Sequence, residues 1–374
     1  MTDAKLAPGP GHDEVRGRIK PDRRVRRVGA GLASLAGTFG FWLGTLALIA
    51  ALPWWAALPI GLVNGLAISM LFVVGHDAAH GSLFPRRWMN RLAGRLGLLP
   101  ALHPYSSWVH SHNRLHHAFT NIKGKDSSFP PLSLAEYRAL PGWHRWLTRR
   151  YRTWYGLGLY YFADVWLKWE VFPTWDHAPK NPRAFRLDRL LVLAFSAVWV
   201  GGLVAAAEWT GTSAVGLVVA GFVVPQMTWN YLIGFIIFQQ HTHPRVPWYS
   251  ARDLPAPSFF QMQIQATPHL HFPAPFCWLM RHIMEHSAHH ADPLVPLYEL
   301  AEAQRDLERA YRRQMVRPIW TRRMFLHTLR TCRLYDFDAH RWLDYDGTPT
   351  TEPLLPAAPP RAEPAAASVP PLTV

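Results

Sequence analysis

Two stretches of this chain are almost free of charge. Val28 to Gly75 contains no Asp, Glu, Lys or Arg, and Leu190 to Gln240 contains only Glu208. Each is about fifty residues long, enough for two passes of roughly twenty residues through a hydrocarbon layer roughly 30 Å thick. The pattern predicts four transmembrane helices near 30–51, 55–75, 190–207 and 214–238, with Pro53 interrupting the first pair and Glu208 to Thr212 the second. The competing reading is a pair of buried hairpins in a water-soluble fold, which rarely needs uncharged runs of this length. The expected fold class is an all-α integral membrane protein. Its four transmembrane helices form two hairpins, and the polar segments 76–189 and 241–340 form a cytoplasmic helical cap.

The rest of the chain is read around those blocks. Residues 1–28 are expected to be a basic flexible arm, 29–340 the membrane domain, and 341–374, rich in Pro and Ala, a disordered tail. Tyr151 to Trp175 is crowded with Trp, Tyr and Phe. That stretch predicts a helix lying along the membrane surface, with an ordinary aromatic core face as the alternative.

The net charge of +14 invites a nucleic-acid partner. Its distribution argues against one, because every Lys and Arg lies outside the apolar blocks and the short connections within them carry none. Arg23, Arg24, Arg26 and Arg27 stand directly before the first span. By the positive-inside rule the N-terminus, the C-terminus and the polar segments are cytoplasmic, as in a multi-pass protein of a bacterial inner membrane. Arg149, Arg150 and Arg152 would then face anionic headgroups. No cleavable secretory signal is apparent. Two cysteines, Cys277 and Cys332, are too few for an iron–sulfur cluster or a disulfide framework.

Histidine supplies the candidate chemistry. His76 and His80 are four apart, and so are His112 and His116, which share a helical face, while His117 adds a third imidazole turned about 100° around an α-helix. His286, His289 and His290 follow an i, i+3, i+4 pattern. All three clusters fall on the side of the membrane that the topology makes cytoplasmic, where His241 also ends the fourth span. Eight or nine imidazoles exceed what one ion takes, and the simplest use of them is a pair of metal ions. Imidazole by itself suits Fe, Zn, Cu or Ni.

These clusters resemble the three histidine boxes of the membrane fatty acid desaturase superfamily. Gly75 to Phe84 (GHDAAHGSLF) resembles the first box, Pro104 to His117 (PYSSWVHSHNRLHH) the second, and His286 to Leu300 (HSAHHADPLVPLYEL) the third. Phe238 to Pro244 (FQQHTHP) is similar to the segment after the fourth span in acyl-lipid Δ12/ω-type desaturases. The resemblance covers roughly residues 40–315. It implies a di-iron centre held by His76, His80, His112, His116, His117, His241, His286, His289 and His290. His243 is the alternative to His241, and His110 the alternative to His112. Asp77 and Asp126 are candidates to orient ligand imidazoles through the second ring nitrogen. His269, His271 and His282 flank the third box and are given no ligand role; His282, four before His286, is read as a surface or capping residue, with support of a ligand imidazole as the alternative.

The resemblance further implies an O2-dependent desaturase that places a cis double bond in a lipid-linked acyl chain. The chain has no His-Pro-Gly-Gly haem motif and no Gly-x-Gly-x-x-Gly turn. Electrons are therefore expected from a separate ferredoxin or similar carrier with its reductase. The same scaffold hosts acyl hydroxylation, epoxidation and carotenoid ketolation or hydroxylation. A membrane metal transporter would need ionisable ligands near the bilayer midplane, and the predicted spans hold almost none.

Overall fold

The computed structural model describes residues 9–174, 178–253 and 257–355. After a short α1 (His12–Gly17) the chain enters α2 (Val28–Ala51) and α3 (Trp54–His80). Shorter helices follow: α4 (Arg87–Leu98), α5 (Tyr105–Trp108), α6 (Leu134–Ala139), α7 (Gly142–Tyr151) and α8 (Leu157–Tyr160). Next come α9 (Pro182–Thr210), α10 (Ala214–Val218) and α11 (Val224–His241). The last four helices are α12 (Ala274–Leu279), α13 (His286–Ala291), α14 (Leu300–Tyr311) and α15 (Arg322–Thr331). Wider π-turns extend α5 through Val109–His116 and α8 through Tyr161–Val171, and Val219–Val223 joins α10 to α11. The only strands among the described residues, β1 (Leu334–Asp336) and β2 (Arg341–Leu343), pair antiparallel with Tyr335 opposite Trp342.

Four helices are long and apolar enough to cross a membrane: Val28–Ala51, Trp54–His80, Pro182–Thr210 and Ala214–His241. Each predicted span lies inside one of them. Helix α3 is the core of the set, with 67% of its most apolar stretch buried, against 17% for α2 and 22% for α9. The outer helices therefore show Leu43, Leu48, Leu193 and Val198 to their surroundings, as expected where the surrounding medium is hydrocarbon rather than water. Within the set, Trp42, Leu71, Phe72, Trp199, Leu203 and Trp229 share one apolar cluster. Asn64 in α3 donates to Trp42 O at 3.0 Å and to Thr45 Oγ1 at 2.8 Å, tying α3 to α2. Asn230, also within a span, donates to Gln226 O of its own helix at 2.7 Å.

Helix α4 crosses α3 at a glycine-to-glycine contact. A Cβ on Gly97 would lie 2.7 Å from the Cα and N of Gly75, too close for any side chain. That contact sets the height of α4 against the turn of α3 that begins at His76.

Two segments expected to be loose are docked. The N-terminal arm buries Val15 and Ile19 completely against α14 and its neighbours. Arg23 pairs with Glu299 at 3.3 Å and with Glu302 and Asp306 at 3.5 Å, and Arg24 pairs with the buried Asp292. The basic residues that mark the arm as solvated in one dimension meet an acidic helix in three. Likewise, the chain from 341 to 355 is folded: Thr350 N donates to Trp342 O at 2.9 Å and Leu354 N to His340 O at 2.8 Å. The remaining tail, 356–374, lies outside the described residues. The aromatic stretch 151–174 is not one surface helix. It breaks at 152–156, and it buries Tyr161 and Val165 while exposing Trp154, Tyr155, Phe162 and Phe172.

Candidate metal centre

The histidines arrive on four elements. His76 and His80 end α3, and the αL residue Gly81 (φ 77°) stops the helix directly after them. His241 ends α11, and α13 carries His286, His289 and His290. The second cluster lies on the π-turn Val109–His116, where His117 N donates to His112 O at 3.0 Å, an i→i+5 bond. This winding corrects the α-helical expectation for His117. Widening the turn swings His117 back beside His112, with the two Nε2 atoms 3.2 Å apart.

The imidazoles gather into two adjacent groups. In one, a nitrogen from each of His76, His80, His112 and His289 lies within 4.8 Å of the others. In the second, the same holds for His116, His241, His286 and His290. His117 joins the first group through His289, Nε2 to Nε2 at 3.0 Å, and stacks on His290 of the second with ring centroids 4.3 Å apart. All nine candidate ligands converge. His243 stays apart, its Nδ1 accepting from Arg245 N at 3.1 Å, and neither His243 nor His110 belongs to either group.

The outer nitrogens decide what the inner ones offer. His116 Nδ1–H donates to Asp126 Oδ1 at 2.8 Å, His241 Nδ1–H to Asn121 Oδ1 at 3.1 Å, and His290 Nδ1–H to Gln263 Oε1 at 2.7 Å. With the proton fixed outside, each Nε2 points a lone pair inward. Yet His116 and His290, both with the proton held outside, face each other Nε2 to Nε2 at 3.1 Å. Lone pairs at that range repel unless a cation lies between them. His241 and His286 approach Nε2 to Nε2 at 2.9 Å. His80 Nε2 is buried with no hydrogen bond among the described residues. Burial first, and neighbouring imidazoles second, push His112, His117, His286, His289 and His290 well below the ordinary imidazole range. Neutral imidazole is the form that binds metal, so the donor set fits two ions.

Asp126 is fully buried and accepts from Asn121 N at 2.7 Å and Ser128 N at 2.8 Å as well as from His116. Burial pushes its carboxyl up, but His116 and these bonds outweigh it and hold the group down at about 2. Asp77 is placed more loosely, 3.4 Å from His76 Nδ1, and also accepts from Leu297 N. Sequence reasoning missed Asn121, Gln263 and Trp108, whose ring stacks on His112 at 4.3 Å. No local spacing marks Asn121 or Gln263, since each meets its histidine only through tertiary folding, whereas Trp108 stands four residues before His112 on the same helical stretch and its i, i+4 spacing could have found it. Sequence reasoning also gave His269 no role. His269 is buried between Glu285 at 2.5 Å and Glu308, and Arg317 closes the network on Glu308 and on His271 at 3.2 Å. Glu285 is the N-cap of α13, so this cluster anchors the helix of the third box.

A narrow cavity of about 60 Å³ opens from the metal groups. It runs between Ser69–His76 of α3 and Trp229–His241 of α11, roughly 18 Å along the latter helix. Phe72, Val165, Ile233 and Met280 make its wall apolar, and Phe72 and Trp229 meet at a centroid distance of 4.5 Å.

Nine clustered imidazoles in two adjoining groups, beside helices long enough to span a bilayer and an apolar cavity, define the class: a membrane protein with a histidine-rich site fit for metal. The fatty acid desaturase profile matches residues 52–323, and the chain belongs to that family. It is similar to the sn-1 oleoyl-lipid 12-desaturase of Picosynechococcus sp., 25% identical over 329 residues, 87% of this chain and 88% of the relative. The corresponding enzyme of Anabaena variabilis is 28% identical over 293 residues, 75% of this chain and 76% of the relative. The chloroplastic omega-6 fatty acid desaturase of Spinacia oleracea is 26% identical over 297 residues, 78% of this chain but 62% of that longer protein.

Proposed function

We propose that the protein is an acyl-lipid desaturase that uses two iron ions and O2 to place a cis double bond in a lipid-linked acyl chain. The observation that carries this reading is the abutment of the two imidazole groups on one apolar cavity between α3 and α11. The names of the relatives, oleoyl-lipid 12-desaturase and omega-6 desaturase, support a lipid-linked acyl substrate.

We assign His76, His80, His112, His117 and His289 to one ion and His116, His241, His286 and His290 to the other. The irons would supply the oxidant that removes hydrogen from two neighbouring methylenes. The protein's own part is positional. Asp126, Asn121 and Gln263 hold three imidazoles with Nε2 inward. Phe72, Ile233, Met280 and Trp229 exclude water and fix which carbons reach the metals.

Residues 29–340 serve as one membrane-embedded catalytic unit. The spans form two hairpins entering from the cytoplasmic face, with both termini and a helical cap on that side. Arg23–Arg27 before the first span, and the histidines at the ends of α3 and α11, support this topology. A separate one-electron protein carrier, a ferredoxin or its like, supplies reducing equivalents.

The test is expression in a host with few lipid species, followed by mass spectrometry of its fatty acids. A new unsaturated chain is expected, and it should vanish in His289→Ala. A profile identical to the empty host under reducing, iron-replete conditions refutes the reading.

A further inference from the structure

Glu170 is a buried carboxyl that the metal site leaves unused. It is 2% exposed and sits near the end of the π-turn Tyr161–Val171. Its Oε1 accepts from the Ser111 hydroxyl, next to His112, and its Oε2 is buried with no hydrogen bond among the described residues. It lines the same cavity as His76, His112 and His116. The other buried carboxyls among the described residues are served differently. Asp77 and Asp126 each meet an imidazole, Asp188 meets Arg95, Asp292 meets Arg24 and Asp306 meets Arg23. Glu170 faces no cation within 4.0 Å among the described residues, and it stands outside both imidazole groups. An ionised carboxylate in such surroundings is costly, so the cavity favours the protonated acid. Burial accordingly raises Glu170 to about 7 against the Ser111 hydroxyl, with the nearby Ser107 hydroxyl turned to Trp169 O at 3.3 Å. Space-filling would be served as well by an apolar side chain, and an orphaned acid oxygen calls for a ligand-directed role.

The desaturase reading, on which this inference rests, creates a demand for such a group. The balance is –CH2–CH2– + O2 + 2 e⁻ + 2 H⁺ → –CH=CH– + 2 H2O. Two C–H bonds and the O–O bond break, while one carbon–carbon π bond and four O–H bonds form. Two of the four electrons that reduce O2 come from the acyl chain and two from the one-electron protein carrier. Two protons must enter from solvent. His116, His241 and His290 keep their Nδ1 protons in hydrogen bonds, and the wall of the cavity is largely apolar.

We propose that Glu170 is the proton donor of the cavity, passing solvent protons one at a time to the oxygen atoms being reduced. Ser111 holds the carboxyl in place while the free oxygen faces the cavity.

The full-length protein, reconstituted in lipid vesicles with its reducing carrier, tests this through Glu170→Gln and Glu170→Asp. Glu170→Gln should keep its metal content and still consume O2. Double bonds formed should fall roughly 100-fold, the usual scale for losing a placed acid, with peroxide released instead. Glu170→Asp should recover part of the coupling. In infrared difference spectra, wild type at neutral pH should show a protonated carboxyl that shifts in D2O and is missing in Glu170→Gln, with or without metal. The proposal is overturned by wild-type rate and coupling in Glu170→Gln, by the absence of that carboxyl signal, or by loss of metal, which would make Glu170 a ligand. If Glu170→Gln does not accumulate, Glu170→Asp decides, wild-type coupling overturning the proposal and peroxide leakage supporting it. If wild type forms no double bond, the desaturase reading fails by itself, and the infrared signal still judges whether Glu170 holds a proton.

Discussion

Asp126→Asn separates the two metal groups. Asp126 receives three N–H donors: His116 Nδ1 at 2.8 Å and Ser128 N at 2.8 Å on one oxygen, and Asn121 N at 2.7 Å on the other. A carboxamide cannot serve all three. If its oxygen faces His116 and Ser128, its NH2 opposes the Asn121 N–H, and the reverse orientation opposes His116. One buried donor is left unmade in the first case and two, His116 and Ser128, in the second, at a cost of about 1–3 kcal/mol each. The charge that steadies His116 is lost as well. Removing such an outer partner weakens metal binding about 10- to 100-fold, or about 1.4–2.8 kcal/mol. His116 belongs to only one group, so anaerobic titration of the metal-free protein with Fe(II) should resolve two steps. Asp126→Asn should weaken one of them by this factor and leave the other within about twofold. Unchanged affinities at both steps, or equal loss at both, would refute the division of the imidazoles into two groups.

Trp229→Ala removes an indole from the far end of the cavity, so its products should shift toward longer chains or a displaced double bond, read by mass spectrometry; an unchanged profile would show that the indole does not limit the chain. Gly97→Ala forces a methyl group onto the Gly75 backbone, an overpacking cost of about 1–3 kcal/mol that should lower the thermal midpoint in detergent, whereas Gly142→Ala, whose Cβ would meet nothing within 4 Å, serves as the control. The His269–Glu308 pair predicts a pH window for the docking of α13. Burial lowers His269, but Glu285 and Glu308 outweigh it and raise the group above its ordinary 6.5, so its contribution is lost as pH rises through the folded value. Burial raises Glu308, but His269 and Arg317 bring it from 4.5 to about 2, so its contribution is lost as pH falls toward 2. The thermal midpoint should therefore be highest between about pH 4.5 and 6.5, and Glu308→Gln should flatten both limbs; an unaltered profile in that variant would count against the network.

The spans and eight of the nine histidines were readable from one dimension because their signals are local, whereas His241 stood out only through the family resemblance. An uncharged run of about fifty residues has few other uses, and imidazoles at four-residue spacing share a face. What stayed hidden depends on geometry between distant segments. The i→i+5 winding that brings His117 beside His112 leaves no mark in the spacing, which an α-helix would equally satisfy. Asn121 and Gln263 lie outside the boxes and become partners of His241 and His290 only when α11 and α13 close on them. The N-terminal arm looked flexible because its arginines find Asp292, Glu299 and Asp306 more than 260 residues later. His269 looked peripheral because Glu308 lies 39 residues away in sequence.

Anomalous diffraction at the iron absorption edge, on crystals of the iron-loaded protein, tests the central claim most directly. The account predicts two peaks side by side, one among His76, His80, His112 and His289 and the other among His116, His241, His286 and His290. A single peak, or a peak at the His269–His271–Glu308 cluster with none between those imidazoles, would contradict it.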